Sequence, residues 1–131
     1  MQFISDIVLP DEKRPAAFSG FSSNREPCYY RFKCQVCENP LKFEIWDFIK
    51  EHQNWKQEFS EVELDQIQNY YHFKKHSPND ILCFTSPFGG HPYIGIKKCG
   101  ACRQKYLIYI GLCEKSMDYF VATVQGIAKI E

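Results

Sequence analysis

The chain has 131 residues, of which 44% are hydrophobic and 16% aromatic, and this size predicts one domain over residues 1–131. Sixteen acidic and sixteen basic residues cancel, which argues against a protein that binds polyanions over its whole surface. No run approaches the roughly 18 apolar residues of a membrane span, and the start has no signal-peptide pattern. We therefore expect a cytoplasmic protein without a membrane partner, whose seven cysteines are reduced. A disulfide framework is the alternative, and the odd number of cysteines argues against it, because one would be left unpaired.

Prolines and a glycine interrupt residues 1–27, so we expect irregular structure there, with one short strand over residues 3–9. Aromatic side chains then alternate loosely over residues 28–36, which favours a strand. This strand leads into a first Cys-x-x-Cys pair, formed by Cys34 and Cys37. Residues 28–37 are thus the predicted first zinc knuckle.

Residues 38–92 are predicted to form an insertion between this pair and a second one. Alternating side chains favour a strand through Trp46, followed by helix or loop. The same stretch could instead begin a helix, with Asn39 as N-cap and Pro40 at the first helical position. A short strand is expected over residues 81–84, followed by a loop.

The clearest helix of the insertion begins at Ser60, which forms a capping-box pattern with Glu63. Cations at the far end favour a helix that continues through His76. His72 and His76 would then lie one turn apart and could join Cys34 and Cys37 in a Cys₂His₂ site. The 34 residues between Cys37 and His72 far exceed a compact zinc finger, which favours two solvated histidines instead.

Residues 93–131 are predicted to contain the second knuckle and a C-terminal antiparallel meander. A strand leads into Cys99-Gly100-Ala101-Cys102, an apolar run covers residues 106–112, and a turn at 114–118 precedes a strand over 119–130. The predicted class is therefore α+β: an antiparallel sheet with zinc-ribbon-like knuckles and at least one packed helix.

Two Cys-x-x-Cys pairs in one short chain predict a shared metal site. The four predicted ligands are Cys34, Cys37, Cys99 and Cys102. Four thiolates fill the tetrahedral shell of Zn²⁺ and leave no position for a substrate, so the predicted zinc is structural. Iron in a rubredoxin-like site is the lesser alternative. Two unlinked reduced pairs are the remaining possibility.

Three further cysteines have no partner at metal-ligand spacing. Cys28, Cys83 and Cys113 are expected in the core, because an unpaired cysteine often behaves as a small apolar residue. A Cys–His nucleophile with His91 as base would be the catalytic alternative. Nothing local supports it, so no catalytic residue is predicted.

Acidic residues cluster before and within the start of the predicted helix, and these are Glu58, Glu61, Glu63 and Asp65. Their structural explanation is the helix dipole, which favours acids at a helix N-terminus. Their functional explanation is a negative patch that binds a basic protein partner. Residues 1–65 hold 12 acids and 8 bases, whereas residues 66–131 hold 4 acids and 8 bases, so the excess negative charge lies in the first half.

Basic residues flank the second cysteine pair, and these are Lys97, Lys98, Arg103 and Lys105. Zinc ribbons can hold nucleic acid with such residues, while nearby tyrosines stack on bases. Four charges are few, so nucleic-acid binding is the alternative to protein binding.

Three C-terminal stretches carry a family resemblance: Tyr93-Ile94-Gly95-Ile96-Lys97-Lys98-Cys99-Gly100-Ala101-Cys102, Tyr106-Leu107-Ile108-Tyr109, and Tyr119 through Gly126-Ile127. With the first cysteine pair, they resemble small bacterial zinc-ribbon proteins. Some of those proteins are similar to the immunity proteins of contact-dependent and other polymorphic toxin systems. The resemblance implies a non-catalytic protein that blocks a toxin domain by binding it in the cytoplasm of its own cell.

Overall fold

A computed structural model describes residues 1–24, 26–77, 80–85 and 90–131 of the chain. These residues contain nine strands: β1 (Phe3–Val8), β2 (Phe18–Phe21), β3 (Tyr29–Lys33), β4 (Pro40–Glu44), β5 (Lys74–Ser77), β6 (Asp80–Thr85), β7 (His91–Lys98), β8 (Lys105–Ser116) and β9 (Tyr119–Ile130). They also contain two α-helices, α1 (Ile45–Glu51) and α2 (Glu61–Tyr71), and two single-turn 3₁₀ helices, Ser22–Asn24 and Trp55–Gln57. The predicted α+β class is confirmed. Neither α-helix is long and apolar enough to cross a membrane.

The main sheet is antiparallel and runs in the order β1-β9-β8-β7, while β2 pairs with the first part of β9. The predicted C-terminal meander is therefore confirmed. Two separate hairpins, β3–β4 and β5–β6, complete the strands. Residues 1–27, expected to hold one strand, contribute both β1 and β2 to the main sheet.

The two faces of the main sheet are buried under different layers. Alternate residues of β8 point to opposite faces, so Ile108 and Ile110 lie on one side and Leu107 and Tyr109 on the other. The first pair packs in a core with α1 and the β3–β4 hairpin. The second pair packs in a core with α2. The sheet is thus covered on both faces, which explains the continuous apolar run in β8.

Helix α2 begins as predicted, since Ser60 and Glu63 form a complete capping box. The prediction that it continues through His76 is wrong. The helix ends at Tyr71, and His72 adopts a left-handed conformation at φ 57° that turns the chain into β5. This turn carries Phe73 into the core, and the burial of its ring outweighs the helix preference of the cations that follow. The side chain of His76 lies outside the described residues.

The segment after the first cysteine pair forms the favoured strand followed by a helix, and the alternative helix from Asn39 is wrong. Pro40 begins strand β4 rather than a helix, and that strand ends at Glu44 rather than Trp46. Helix α1 begins there because the Glu44 side chain caps it, accepting hydrogen bonds from the backbone N–H groups of Trp46 and Asp47. Strand β8 extends to Ser116, so most of the residues predicted as a turn over 114–118 lie in this strand instead.

A four-cysteine candidate metal centre

The cysteine pairs lie in two loops that share one backbone pattern. The first loop joins β3 to β4, and the second joins β7 to β8. The N–H of Cys34 donates to the carbonyl of Asn39 at 2.9 Å, and that of Cys99 donates to the carbonyl of Gln104 at 2.8 Å. Each bond spans five residues and closes the loop at the base of its hairpin.

A second bond in each loop shapes the turn around the sulfurs. The N–H of Glu38 donates to the carbonyl of Cys34 at 3.0 Å, and that of Arg103 donates to the carbonyl of Cys99 at 2.8 Å. Glu38 and Arg103 both adopt left-handed conformations, with φ of 62° and 66°. A non-glycine residue pays a conformational cost there. Two loops that share only their cysteines thus fold into the same knuckle.

The two knuckles bring the four predicted ligands together. All four sulfur atoms lie within 4.8 Å of one another. The Cys34 and Cys102 sulfurs are 3.5 Å apart, and the Cys37 and Cys99 sulfurs are 3.6 Å apart. These distances are far longer than the roughly 2.05 Å of a disulfide. They are close to the roughly 3.8 Å edge of a sulfur tetrahedron around an ion with 2.3 Å bonds.

Backbone N–H groups point at every sulfur in the same order in both knuckles. Cys34 accepts from Val36 and Cys37, and Cys37 accepts from Asn39. The second knuckle repeats this pattern, because Cys99 accepts from Ala101 and Cys102, and Cys102 accepts from Gln104. Such donors stabilise negative sulfur, the form that binds a metal ion.

Tyr106 adds a side-chain donor to the first knuckle. Its buried hydroxyl donates to Cys34 Sγ at 3.2 Å and accepts from the backbone N–H of Gln35 at 2.8 Å. Burial and the bond to Cys34 raise the pKa of Tyr106 to about 12, so this hydroxyl keeps its proton at neutral pH. In the second cysteine pair, Cys99 Sγ lies 3.8 Å from the side-chain amide nitrogen of Asn39.

The four thiols differ in acidity although their backbone partners match. Burial opposes ionisation of Cys34, but hydrogen bonds from Tyr106 and the backbone outweigh it and lower its pKa to about 6. The N–H of Cys102 lowers the pKa of Cys99. The N–H of Gln104 favours the Cys102 thiolate, but burial and the three neighbouring sulfurs raise the pKa of Cys102 to about 12. A divalent cation would relieve the competition among these sulfurs for negative charge.

These four residues fit a tetrahedral metal ion in number, spacing and donor chemistry. Zn²⁺ and iron both accept four thiolates. Cys34 and Cys99 are buried, whereas Cys37 is exposed, so the centre lies just below the surface. A metal ion held here would fasten the β3–β4 hairpin to the β7–β8 hairpin, with a closed shell that excludes substrate.

Cys28 and Cys113 take no part in this group. Cys28 is half-buried against the first core, as predicted, and donates to the carbonyl of Ala17 at 3.0 Å. Burial, together with the charge of Glu44, raises the pKa of Cys28 and so lowers its reactivity. Cys113 is also half-buried. The side chain of Cys83 lies outside the described residues.

The predicted acidic residues divide into two pairs. Glu58 accepts from Nδ1 of the buried His52 at 3.0 Å, and Glu63 completes the capping box. Glu61 and Asp65 are exposed at the start of α2. Two of the four carboxylates therefore have local structural roles, and two project into solvent.

Two of the four predicted basic residues line a cleft beside α1. Arg103 shapes the second knuckle, whereas Lys97 and Lys98 line a cleft of about 360 Å³ between β7 and α1. Asp47 and Glu51 line the same cleft from α1. The lysines thus share their surface with carboxylates rather than forming a uniformly positive patch.

Sequence reasoning missed Tyr106, which contacts the cysteine group, because it reads as one more apolar residue of β8. It also missed the left-handed Glu38 and Arg103, since neither is the glycine that usually marks such a conformation. One signal was available, because both stand directly after the second cysteine of a Cys-x-x-Cys pair.

No protein-family model matches this chain, and searches of the curated proteins and of the solved structures find no significant match.

Proposed function

We propose that the four-cysteine group holds a structural zinc ion and that the protein works by binding a partner protein, without catalysis. The observation that carries this proposal is the set of four sulfurs within 4.8 Å of one another, each with a backbone donor. Four sulfur ligands leave no open position on the ion, so its role is to hold the two knuckles together. Function then belongs to the outer surface.

The partner we propose is a bacterial toxin domain, which this protein neutralises in the cytoplasm as an immunity protein. Two things support this choice: the resemblance of the cysteine-bearing segments to zinc-ribbon proteins of toxin systems, and the exposed carboxylates of Glu61 and Asp65. Exposed acids suit the basic surface with which a nuclease toxin binds nucleic acid. The carboxylates of Asp47 and Glu51 opposite the lysines disfavour the alternative, nucleic-acid binding, because they repel phosphate.

Metal content tests the first half of this proposal. Protein purified without added metal is analysed by inductively coupled plasma mass spectrometry, and we expect one equivalent of zinc per chain. One equivalent of iron per chain would instead identify the site as a rubredoxin-like iron centre. Less than a tenth of an equivalent of either metal would refute the metal centre.

Toxin neutralisation tests the second half. The protein is co-expressed with the toxin domain encoded beside its gene, and we expect a stable complex and rescued growth. Reversal of both charges, Glu61→Lys with Asp65→Lys, should weaken the complex, whereas Glu12→Lys, an exposed acid on the N-terminal segment, should not. Growth arrest together with no complex for the unaltered protein would refute the immunity role.

A further inference from the structure

The cleft between β7 and α1 has a strand edge as one of its walls. It is lined by Ile96, Lys97 and Lys98 of β7, by side chains of α1 and by the residues just before it. Side chains of successive strand residues point to opposite faces of the sheet. This cleft contacts three successive residues of β7, and β7 is a strand at the edge of the main sheet.

The hydrogen bonds of β7 show which backbone groups face this cleft. The carbonyl of Pro92 accepts from Trp55 Nε1 at 2.8 Å, so it points away from β8. The N–H of Cys99 donates to Gln104, so that group points toward β8. Pairing with β8 is regular between these two residues, and backbone direction alternates along an antiparallel strand. Ile96 and Lys98 therefore direct their N–H and carbonyl groups away from β8.

The two residues that carry these outward groups are exposed. Ile94 shares their direction but is fully buried, whereas Ile96 is 40% exposed and Lys98 is exposed. Over the described part of the chain, no strand pairs with β7 on this side. A strand edge left in this state is a template for another extended chain.

The opposite wall supplies charge. Asp47 and Glu51 lie four residues apart on α1, one helical turn, and both line the cleft. No salt bridge joins either carboxylate to another described residue. Phe48, between them, gives this wall a buried aromatic side chain against which a long aliphatic stem can pack.

We infer that β7 binds an extended segment of a partner protein, which adds to the sheet as a further antiparallel or parallel strand. The sequence of this partner segment alternates apolar and basic residues. Its backbone would pair with the outward groups of Ile96 and Lys98. Its basic side chains would meet Asp47 and Glu51, and its apolar side chains would lie beside Ile96. This inference rests on the proposed function, since it adds to Glu61 and Asp65 a second surface with which the protein holds its partner.

An extended chain matches this cleft better than a compact small molecule does. The outward groups of Ile96 and Lys98 lie two residues apart, so they repeat at about 6.8 Å along the edge. An added strand repeats its own donors and acceptors at that spacing. Its side chains also alternate between the face covered by α1 and the opposite face, which separates the basic from the apolar contacts.

The first test uses a blocked hexapeptide that alternates valine and lysine, added to the ¹⁵N-labelled metal-loaded protein. We expect saturable chemical-shift changes and slower hydrogen exchange at the amides of Ile96 and Lys98. The amide of Lys97 already donates toward β8, so its exchange should not slow further. No saturable change at Ile96 and Lys98 would overturn the inference.

Altered probes and variants separate strand pairing from charge attraction. A peptide N-methylated at alternate residues loses the donors that face the edge, and we expect no binding at Ile96 and Lys98. Glu51→Lys should weaken binding of the valine–lysine peptide by about three- to tenfold, whereas Glu12→Lys should leave it unchanged. Equal binding of the N-methylated peptide would overturn strand pairing, and an unchanged affinity in Glu51→Lys would overturn the assigned partner charge.

A second copy of this chain is the competing occupant. Sedimentation velocity of the metal-loaded protein should show a monomer, and a dimer abolished by Ile96→Lys would overturn the inference. The proposed function fails separately. If the peptide binds at Ile96 and Lys98 but toxin rescue fails, strand binding by β7 is supported and the immunity role is refuted. If rescue succeeds but the peptide causes no change at Ile96 and Lys98, only strand binding by β7 is refuted.

Discussion

Replacement of Tyr106 by phenylalanine isolates the contribution of one hydroxyl to the cysteine centre. The ring and its packing in the core remain, but Cys34 Sγ loses its 3.2 Å donor. Gln35 loses its acceptor as well, although this residue is exposed and water can replace the bond. The change therefore acts on Cys34, whose pKa rises from about 6 toward the ordinary thiol value.

The size of the effect can be worked out in two ways. A hydrogen bond to a charged group contributes about 1.5–3 kcal/mol. Loss of an outer partner of a metal ligand typically reduces metal affinity by about 10–100-fold, which corresponds to about 1.4–2.7 kcal/mol. The two ranges agree, so we expect Tyr106→Phe to weaken zinc binding by about 10–100-fold.

Competition against a chromogenic zinc chelator at fixed pH measures this affinity. Tyr71→Phe is the matched control, because Tyr71 is also a buried tyrosine of a core but its hydroxyl has no hydrogen-bond partner among the described residues. We expect zinc affinity in Tyr71→Phe to equal that of the unaltered protein. If Tyr106→Phe also binds zinc within twofold of the unaltered protein, the donor role of Tyr106 is refuted.

Three further predictions concern stability. EDTA should lower the melting temperature of the unaltered protein but not that of Cys37→Ser, which lacks one ligand, and an equal response in a thermal melt would contradict metal-linked folding. Gly95→Ala should lower the free energy of unfolding by about 1–3 kcal/mol in urea titration. Its new Cβ would lie 2.5 Å from His52 Nε2, so an unchanged midpoint would show that the ring moves aside without cost. Ser60→Ala should lower the free energy of unfolding by about 1 kcal/mol, because the capping box is lost. Circular dichroism during urea titration measures this change.

The local features of this protein could be predicted from its sequence because their determinants are adjacent in the chain. Each Cys-x-x-Cys pair places two sulfurs in one turn, and the pairing of the two turns follows from the preference of a metal ion for four ligands. The side chains of Ser60 and Glu63 likewise accept hydrogen bonds from each other's backbone N–H groups across one helical turn. These predictions needed no knowledge of distant contacts.

Features that depend on distant packing could not be predicted in this way. The end of α2 is set by burial of Phe73 against the second core, and no glycine or proline at position 72 announces it. Tyr106 contacts Cys34 only because the first knuckle folds over β8. The cleft likewise exists because α1 crosses beside the edge of β7, a relation between two elements that are far apart in sequence.

The position of β9 has a consequence for synthesis. This strand lies between β8 on one side and β1 and β2 on the other, with Phe3 opposite Ile130. Strands β1 and β2 leave the ribosome well before β9, and β9 is their only sheet partner in the described part of the chain. During translation, the nascent chain therefore carries unpaired N-terminal strands that can associate with other chains. A chaperone that binds nascent chains would protect the protein during this interval, and slow translation of the β8–β9 region would lengthen it.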